Sequence, residues 1–323
     1  MTYWSRRLLG ALAVLFAVLA LNFALFRLMP GDPVTSLVDP RFSPEAKEAL
    51  SRAYGLDRPL GEQFLLYLKQ TVTFDFGLSF VSGRPVWQEL RDRLPHTVAL
   101  SGSALVLAGT MGTALGVAAA RRRGGAVERV VLAAGALSFS FPSFFLQLLL
   151  LLAFAVLWPL FPLRGSVSVP APQGAAFIAD YLHHLALPVL SLALLGFGSW
   201  ALYVRNLMVK ILGSEPLFLA RAKGLPEPVL LWRHAFRTAL PPLLTLILLS
   251  LPGLLSGAVI TETVFSLHGV GRFLLESIQG QDYPAAGGAF YLLALVTVTS
   301  NVLADLAYGL ADPRIRVDRR KGQ

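Results

Sequence analysis

Charged residues are nearly absent from six stretches of this chain and crowd the segments between them. The apolar runs cover residues 8–26, 97–120, 130–158, 185–204, 243–261 and 286–311. About 20 residues at 1.5 Å rise cross a hydrocarbon core of about 30 Å, so each run predicts one membrane-crossing helix. Arg6 and Arg7 precede the first run as in a secretory leader. The run outlasts a leader's apolar region and no small-residue cleavage site follows it, so it is read as an anchor.

Between the first two runs the pattern changes from continuous to periodic. Ser43 is placed to cap a helix with Pro44 in its first turn and Gly55 at its stop. "PLGEQFLLYLKQ" repeats apolar residues at helical spacing. "PVWQELRDRLP" sets Val86, Leu90 and Leu94 on one face as it leads into the second run. Segment 29–95 is therefore expected to be a small helical cap on the outer surface, serving a ligand or acting only as a packed connector.

Composition fixes the class: 55% hydrophobic and 15% charged residues, with a mean hydropathy of +0.62, exclude an ordinary soluble domain and predict an all-α integral membrane protein. Lys and Arg number 28 against 19 Asp and Glu. Their placement assigns this excess to topology and leaves no nucleic-acid partner to expect. Arg6 and Arg7, then Arg121, Arg122, Arg123 and Arg129, then the stretch 205–237, then 314–321, alternate with short loops that carry only Arg164 and Arg272. Both termini are thus expected in the cytoplasm of a multi-pass membrane protein. The expected layout is an N-terminal end with the first span (1–28), the extracytoplasmic helical loop (29–95), a five-helix core (96–311) with a cytoplasmic loop at 206–240, and a basic tail (312–323). Cysteine is absent, which removes disulfide and thiol chemistry.

The spans are polar mainly through small hydroxyls: Ser101, Ser103, Thr110, Thr113, Ser138, Ser140, Ser143, Ser199, Thr245, Ser256, Thr297, Thr299 and Ser300, joined by Gln147 and Asn301. Such residues commonly hold membrane helices together. The pairs Gly112/Gly116 and Gly253/Gly257 have the spacing that lets backbones approach closely. Asp305 is the one acid well inside a run, near its end, where a structural role is expected. No chain of Asp, Glu, His or Arg suggests a proton relay. His96, His183, His184, His234 and His268 are scattered, and no HExxH, nucleophile elbow or GxxxxGK[ST] occurs. No enzyme activity, catalytic residue or metal site is expected of this chain.

"ARAKG" at 220–224 followed by "LLWRHAFRTALPP" at 230–242 resembles the permease signature of binding-protein-dependent ABC importers, in the dipeptide/oligopeptide/nickel branch. So do "FRLMPGDP", "YGLDRPLGEQFLLYL", "SGRPVWQELRDRLPHTVAL", "FPSFF", "TETVFSLHGVGRFLLESIQGQDYPA" and "ADLAYGLADPRIR", in that order along the chain. The resemblance implies the type I importer permease fold, six transmembrane helices, and half of a pathway for di- or oligopeptides delivered by an extracytoplasmic substrate-binding protein. It also implies a second homologous permease and two cytoplasmic ATPases holding the ATP and Mg, with no cofactor in this chain. Membrane lipid is the remaining partner. A nickel, nickel-chelate or other small-solute permease is the alternative inside the family, although soft or imidazole ligands are expected along a bare-metal path. A nucleotide-independent channel or scaffold is the alternative outside it.

By the same resemblance, Glu215, Leu217, Phe218, Ala220, Arg221, Ala222, Lys223 and Gly224 form a coupling helix for an ATPase. Local signals agree: Ser214 can cap a helix with Glu215 and Pro216 in its first turn, and Gly224 can end it. The segment departs from its relatives in "EPLFL", where an acidic, aromatic and basic run is usual, and in Pro226 and Pro228. The outer loop with Glu262, His268, Gly269, Gly271, Arg272, Gln281, Asp282 and Tyr283 is expected to face the binding protein or to pack as a re-entrant turn.

Overall fold

A computed structural model describes residues 3–28 and 58–311 of the chain. Most of these are helical, and four helices are long and apolar enough to cross a membrane, or five when one bent pair counts as a single span. The expected capping helix between Ser43 and Gly55 and the basic tail lie outside the described residues.

The chain divides into two compact units. The first holds the residues up to Thr97 together with His268–Thr299. Here α1 (Tyr3–Leu28) packs on α2 (Leu60–Val72). Phe23 meets Phe64 and Tyr67 at ring-centroid distances of 5.2 and 5.6 Å. Asn22, fully buried, donates to the Tyr67 hydroxyl at 2.9 Å and the Gly287 carbonyl at 3.3 Å. Leu8, Leu9, Leu12, Val14 and Phe16 of α1 are exposed, as an apolar helix facing lipid or a partner requires.

The core of this unit is built by the periodicity that the sequence announces. Val86 and Leu90 open α3 (Val86–Arg121) and bury fully against Val270 and Phe273 of α9 (Val270–Gln279) and Ala285, Ala289 and Leu292 of α10 (Tyr283–Ala311). α3 continues through Pro95, so the amphipathic lead and the second apolar run are one 36-residue helix. The Thr97 hydroxyl accepts the backbone N–H of Val270 at 2.9 Å and so occupies the start of α9.

The second unit holds Val98–Leu267 and the residues from Ser300. Its centre is α6 (Ala175–Leu212), 38 residues or about 57 Å long. It contacts α4 (Ala126–Ser140), α5 (Ser143–Leu151) and α8 (Arg237–Val264). The sequence places this span at 185–204; the helix extends further at both ends and carries Pro188 inside it.

The run 130–158 is not one straight helix. Phe141 is extended (φ −94°, ψ 134°) and Pro142 starts the next segment, so α4 and α5 meet at 101°. A residue before proline is pushed out of the helical region, which accounts for the break. α5 then runs into π-helical turns over Leu152–Leu157. The run 243–261 lies on the 28-residue α8.

Close helix approach occurs where glycines allow it. A Cβ on Gly112 would meet the Trp200 Cβ at 2.5 Å and the Phe197 carbonyl at 2.9 Å; on Gly116 it would meet the Ala201 carbonyl at 2.7 Å. That pair seats α3 on α6, as its spacing predicts. Of the second predicted pair only Gly257 has a neighbour, Leu192 at 3.2 Å, while Gly253 has none within 4 Å. A further contact, Gly198 of α6 against the Gly135 carbonyl of α4, at 2.7 Å from a built Cβ, has no spacing signature of its own.

Candidate functional site

α6 ends at Leu212, Gly213 turns the chain, and α7 (Glu215–Ala222) follows at once. Pro216 suits the first turn because its missing N–H is one that no helix start satisfies. Ser214 stands at the cap position (φ −78°, ψ 151°), but its hydroxyl donates back to the Ile211 carbonyl at 2.7 Å. The capping hydrogen bond expected of that side chain is therefore not made. Instead its own carbonyl takes the N–H groups of Leu217 and Phe218 at 3.1 and 3.0 Å. At the far end Gly224 adopts φ +79° and donates its N–H to the Arg221 carbonyl at 3.0 Å. Only glycine takes this left-handed conformation without cost, so the stop predicted at Gly224 is present.

One residue anchors this short helix. Leu217 is 7% exposed and joins a cluster with Val117, Ala120, Val204, Met208, Leu231 and Ala235. Its neighbours face outward: Phe218 is 68% exposed and Leu219 59% exposed. Ala222, Lys223 and Gly224 are also exposed, and Ala220 is half-buried. Arg221 closes onto Glu227, Nε to Oε1 at 3.0 Å, stapling the exit of α7 to the loop after it. The chain then enters π-helical turns over Val229–Phe236, which bury Leu230, Leu231 and Ala235 and leave Trp232 exposed, its ring 5.4 Å from that of Phe236. The short helix is thus anchored by Leu217 and presents an apolar outward face of Phe218 and Leu219.

The residues expected on the opposite side divide. Glu262, 1% exposed, belongs to the second unit, and the others to the first. Asp282, 2% exposed, accepts the Ser79 hydroxyl, the Val81 N–H at 3.3 Å and the Ala285 N–H at 3.2 Å. It therefore ties loop 73–85 to the start of α10. Gly269 precedes α9 and is buried together with Gly271. Gln281 turns the chain at φ +54°, and Tyr283 is half-buried. His268, Gln281 and the Arg272–Glu276 pair, Nε to Oε1 at 2.7 Å, remain toward solvent. Partial enclosure, and after it the Arg93 guanidinium, hold the His268 imidazole below its ordinary pKa; His96 and Arg272 add to this and Glu89 opposes it. The His96 ring stands edge-on to it, 5.9 Å away.

Several functional-looking groups carry no sequence motif. Glu128 accepts the Gly124 N–H at 2.5 Å and the Arg205 Nε at 2.7 Å, so α4 and α6 share a compensated ion pair. Gln147 donates to the Thr261 hydroxyl at 2.7 Å, joining α5 to α8. Six of the span hydroxyls turn back on their own helix: Thr110 to Val106, Ser138 to Gly135, Ser140 to Ala136, Ser199 to Gly196, Thr245 to Pro241 and Thr297 to Leu293. Asp305 is half-buried, and the Ser256 side chain lies outside the described residues. Among the described residues no three His, Asp or Glu side chains converge to hold a metal ion.

Two family models match the chain. One, described as the inner membrane component of binding-protein-dependent transport systems, covers residues 112–317. Its N-terminal companion covers residues 1–101. The chain is 35% identical to a probable peptide ABC transporter permease of Sinorhizobium fredii, over 97% of this chain and 99% of that one. It is 34% identical to the di/tripeptide transport system permease of Pseudomonas aeruginosa (99% and 100%). To the dipeptide transport system permease of Escherichia coli it is 33% identical (96% and 97%).

Proposed function

This chain belongs to the family of binding-protein-dependent transport system inner membrane components, and from that premise we propose that it is the permease subunit of an ATP-driven importer of di- or oligopeptides. It forms half of the pathway, beside a second homologous permease. Two cytoplasmic ATPases hold the ATP and Mg, and an extracytoplasmic binding protein delivers the peptide. Peptide cargo is supported by the relatives' names, all of which are peptide, dipeptide or di/tripeptide permeases. Six spans with both termini in the cytoplasm are supported by the alternation of Lys/Arg-rich and Lys/Arg-poor loops.

The observation that carries the mechanism is α7, fixed through Leu217 to the cluster that also holds α3, α6 and α8 residues, with Phe218 and Leu219 turned outward. A partner that grips that face moves the base of three helices together. Coupling between two sites needs an element whose position both ligands bias, and α7 is built as one. On the outer surface His268, Arg272, Glu276 and Gln281 are the residues offered to the binding protein, while Asp282 and Glu262 serve from inside.

The test is a charge on the outward face. Phe218→Asp and Leu219→Asp lose little packing within this chain, because both side chains are mostly exposed, so each variant is expected to insert and melt close to the wild type. Each is expected to stop co-purifying with the soluble ATPase and to lose ATP hydrolysis stimulated by the binding protein. Undiminished stimulation in both reconstituted variants refutes the coupling role of α7.

A further inference from the structure

Beside α7 the second unit contains a cleft of about 270 Å³ whose walls include Ala120, Arg121, Arg123, Arg221, Glu227 and Leu231. Three arginines and one glutamate thus share the lining. The glutamate carboxylate is engaged by the Arg221 Nε, and among the described residues Arg121 and Arg123 form no ion pair. The rest of the lining is apolar: Val209 and Leu212 of α6 join Ala120 and Leu231.

Depth decides what such a cleft can hold. The apolar run 97–120 stops at Ala120, and Arg121 is the last residue of α3. The basic residues of the lining therefore stand where a membrane span gives way to headgroups, beside the apolar ones. Guanidinium groups bind phosphate oxygens through paired, charge-assisted hydrogen bonds. Basic pockets between membrane helices at this depth suit anionic headgroups. An acidic side chain from a partner protein supplies the charge but nothing for the apolar part of the lining, whereas a phospholipid supplies both.

We propose that the cleft between the end of α3 and the base of α7 is a binding site for an anionic phospholipid, with its phosphate held by Arg121, Arg123 and Arg221. The lipid then fills the gap beneath the exit of α7 and sets how firmly that helix is held. The inference rests on the chain's crossing a membrane and on the position of α7, and not on the cargo. A lipid measurement that reads no transport therefore fails or succeeds separately from the peptide reading.

The experiment is native mass spectrometry of the full chain in micelles doped with phosphatidylglycerol or, in parallel, phosphatidylcholine. The wild type is expected to retain phosphatidylglycerol over phosphatidylcholine, and Arg121→Gln/Arg123→Gln to lower that retention by about tenfold. Arg122→Gln, outside the cleft, leaves retention unchanged. Arg221→Gln, on the exposed helix, lowers it too, and stands in if the double variant does not fold. Millimolar inorganic phosphate is expected to leave the lipid bound. Displacement of the lipid by phosphate assigns the site to the free ion and overturns the proposal. Equal retention of the two lipids overturns it, as does a folded Arg221→Gln or double variant that holds phosphatidylglycerol like the wild type. If the variants lose only their binding to the ATPase, the cleft takes an acidic protein segment instead, and the proposal falls.

Discussion

Ser79 and Asp282, 203 residues apart in sequence, are joined by a hydrogen bond from the serine hydroxyl to the buried aspartate carboxylate. The N–H groups of Val81 and Ala285 complete a set of three neutral donors. A buried charge met only by hydrogen bonds depends on each of them, because a missing donor leaves its share of the charge desolvated and unpaired. Ser79→Ala is therefore expected to cost about 1.5–3 kcal/mol. Faster hydrogen exchange across 73–85, with α7 unaffected, is the measurement that locates the loss. Protection unchanged in that loop refutes the clamp.

That clamp was only half legible in the sequence. In the sequence Asp282 is an acid in a glycine-rich outer loop that is expected to face the binding protein or to pack as a re-entrant turn, and nothing local shows that Ser79 reaches it. Short-range signals did better. The 3.6-residue spacing of Val86 and Leu90 foretold a buried face, and Pro216 and Gly224 foretold the limits of α7. Hydropathy located the long helices but overlooked the break at Phe141–Pro142, because an apolar run keeps its composition through a bend. The cleft of Arg121, Arg123 and Arg221 joins residues about a hundred positions apart, and no one-dimensional pattern encodes such a meeting.

Gly112 tests the seating of α3 on α6. A built Cβ there falls 2.5 Å from the Trp200 Cβ and 2.9 Å from the Phe197 carbonyl. Neither atom is the free end of a flexible chain, so the helices themselves must part. Gly112→Ala is expected to destabilise by about 1–3 kcal/mol, the usual cost of overpacking. Gly102→Ala, which meets nothing within 4 Å, is the control, expected to be neutral or stabilising by up to about 1 kcal/mol through helix propensity. Melting temperatures of the two variants in one detergent decide it: equal shifts count against the close approach.

Gln147 and Thr261 make an asymmetric pair. The threonine hydroxyl donates to the Gly257 carbonyl at 2.9 Å while accepting from the Gln147 amide. The Gln147 Oε1 is buried with no hydrogen-bond partner among the described residues. Gln147→Leu removes that oxygen along with the bond and keeps the volume, so its expected cost is below about 1 kcal/mol. Thr261→Val leaves the whole amide unpaired and is expected to cost about 1–3 kcal/mol, the price of a buried orphan group. Thermal unfolding that ranks the two in the opposite order contradicts this arrangement.

His268 gives the first unit a pH dependence of definite sign. Its folded pKa lies below the ordinary value, through partial enclosure and then Arg93, with His96 and Arg272 adding and Glu89 opposing. Above about pH 6.5 the imidazole is neutral folded and unfolded alike, and contributes no slope. As pH falls below that value the unfolded chain takes up the proton first, so stability declines until the lower folded pKa is passed, and then levels. The melting temperature of the wild type should therefore fall on acidification from pH 7 toward pH 5 by more than that of His268→Gln, which cannot take the proton. Parallel melting profiles for the two proteins would show that the proton goes elsewhere.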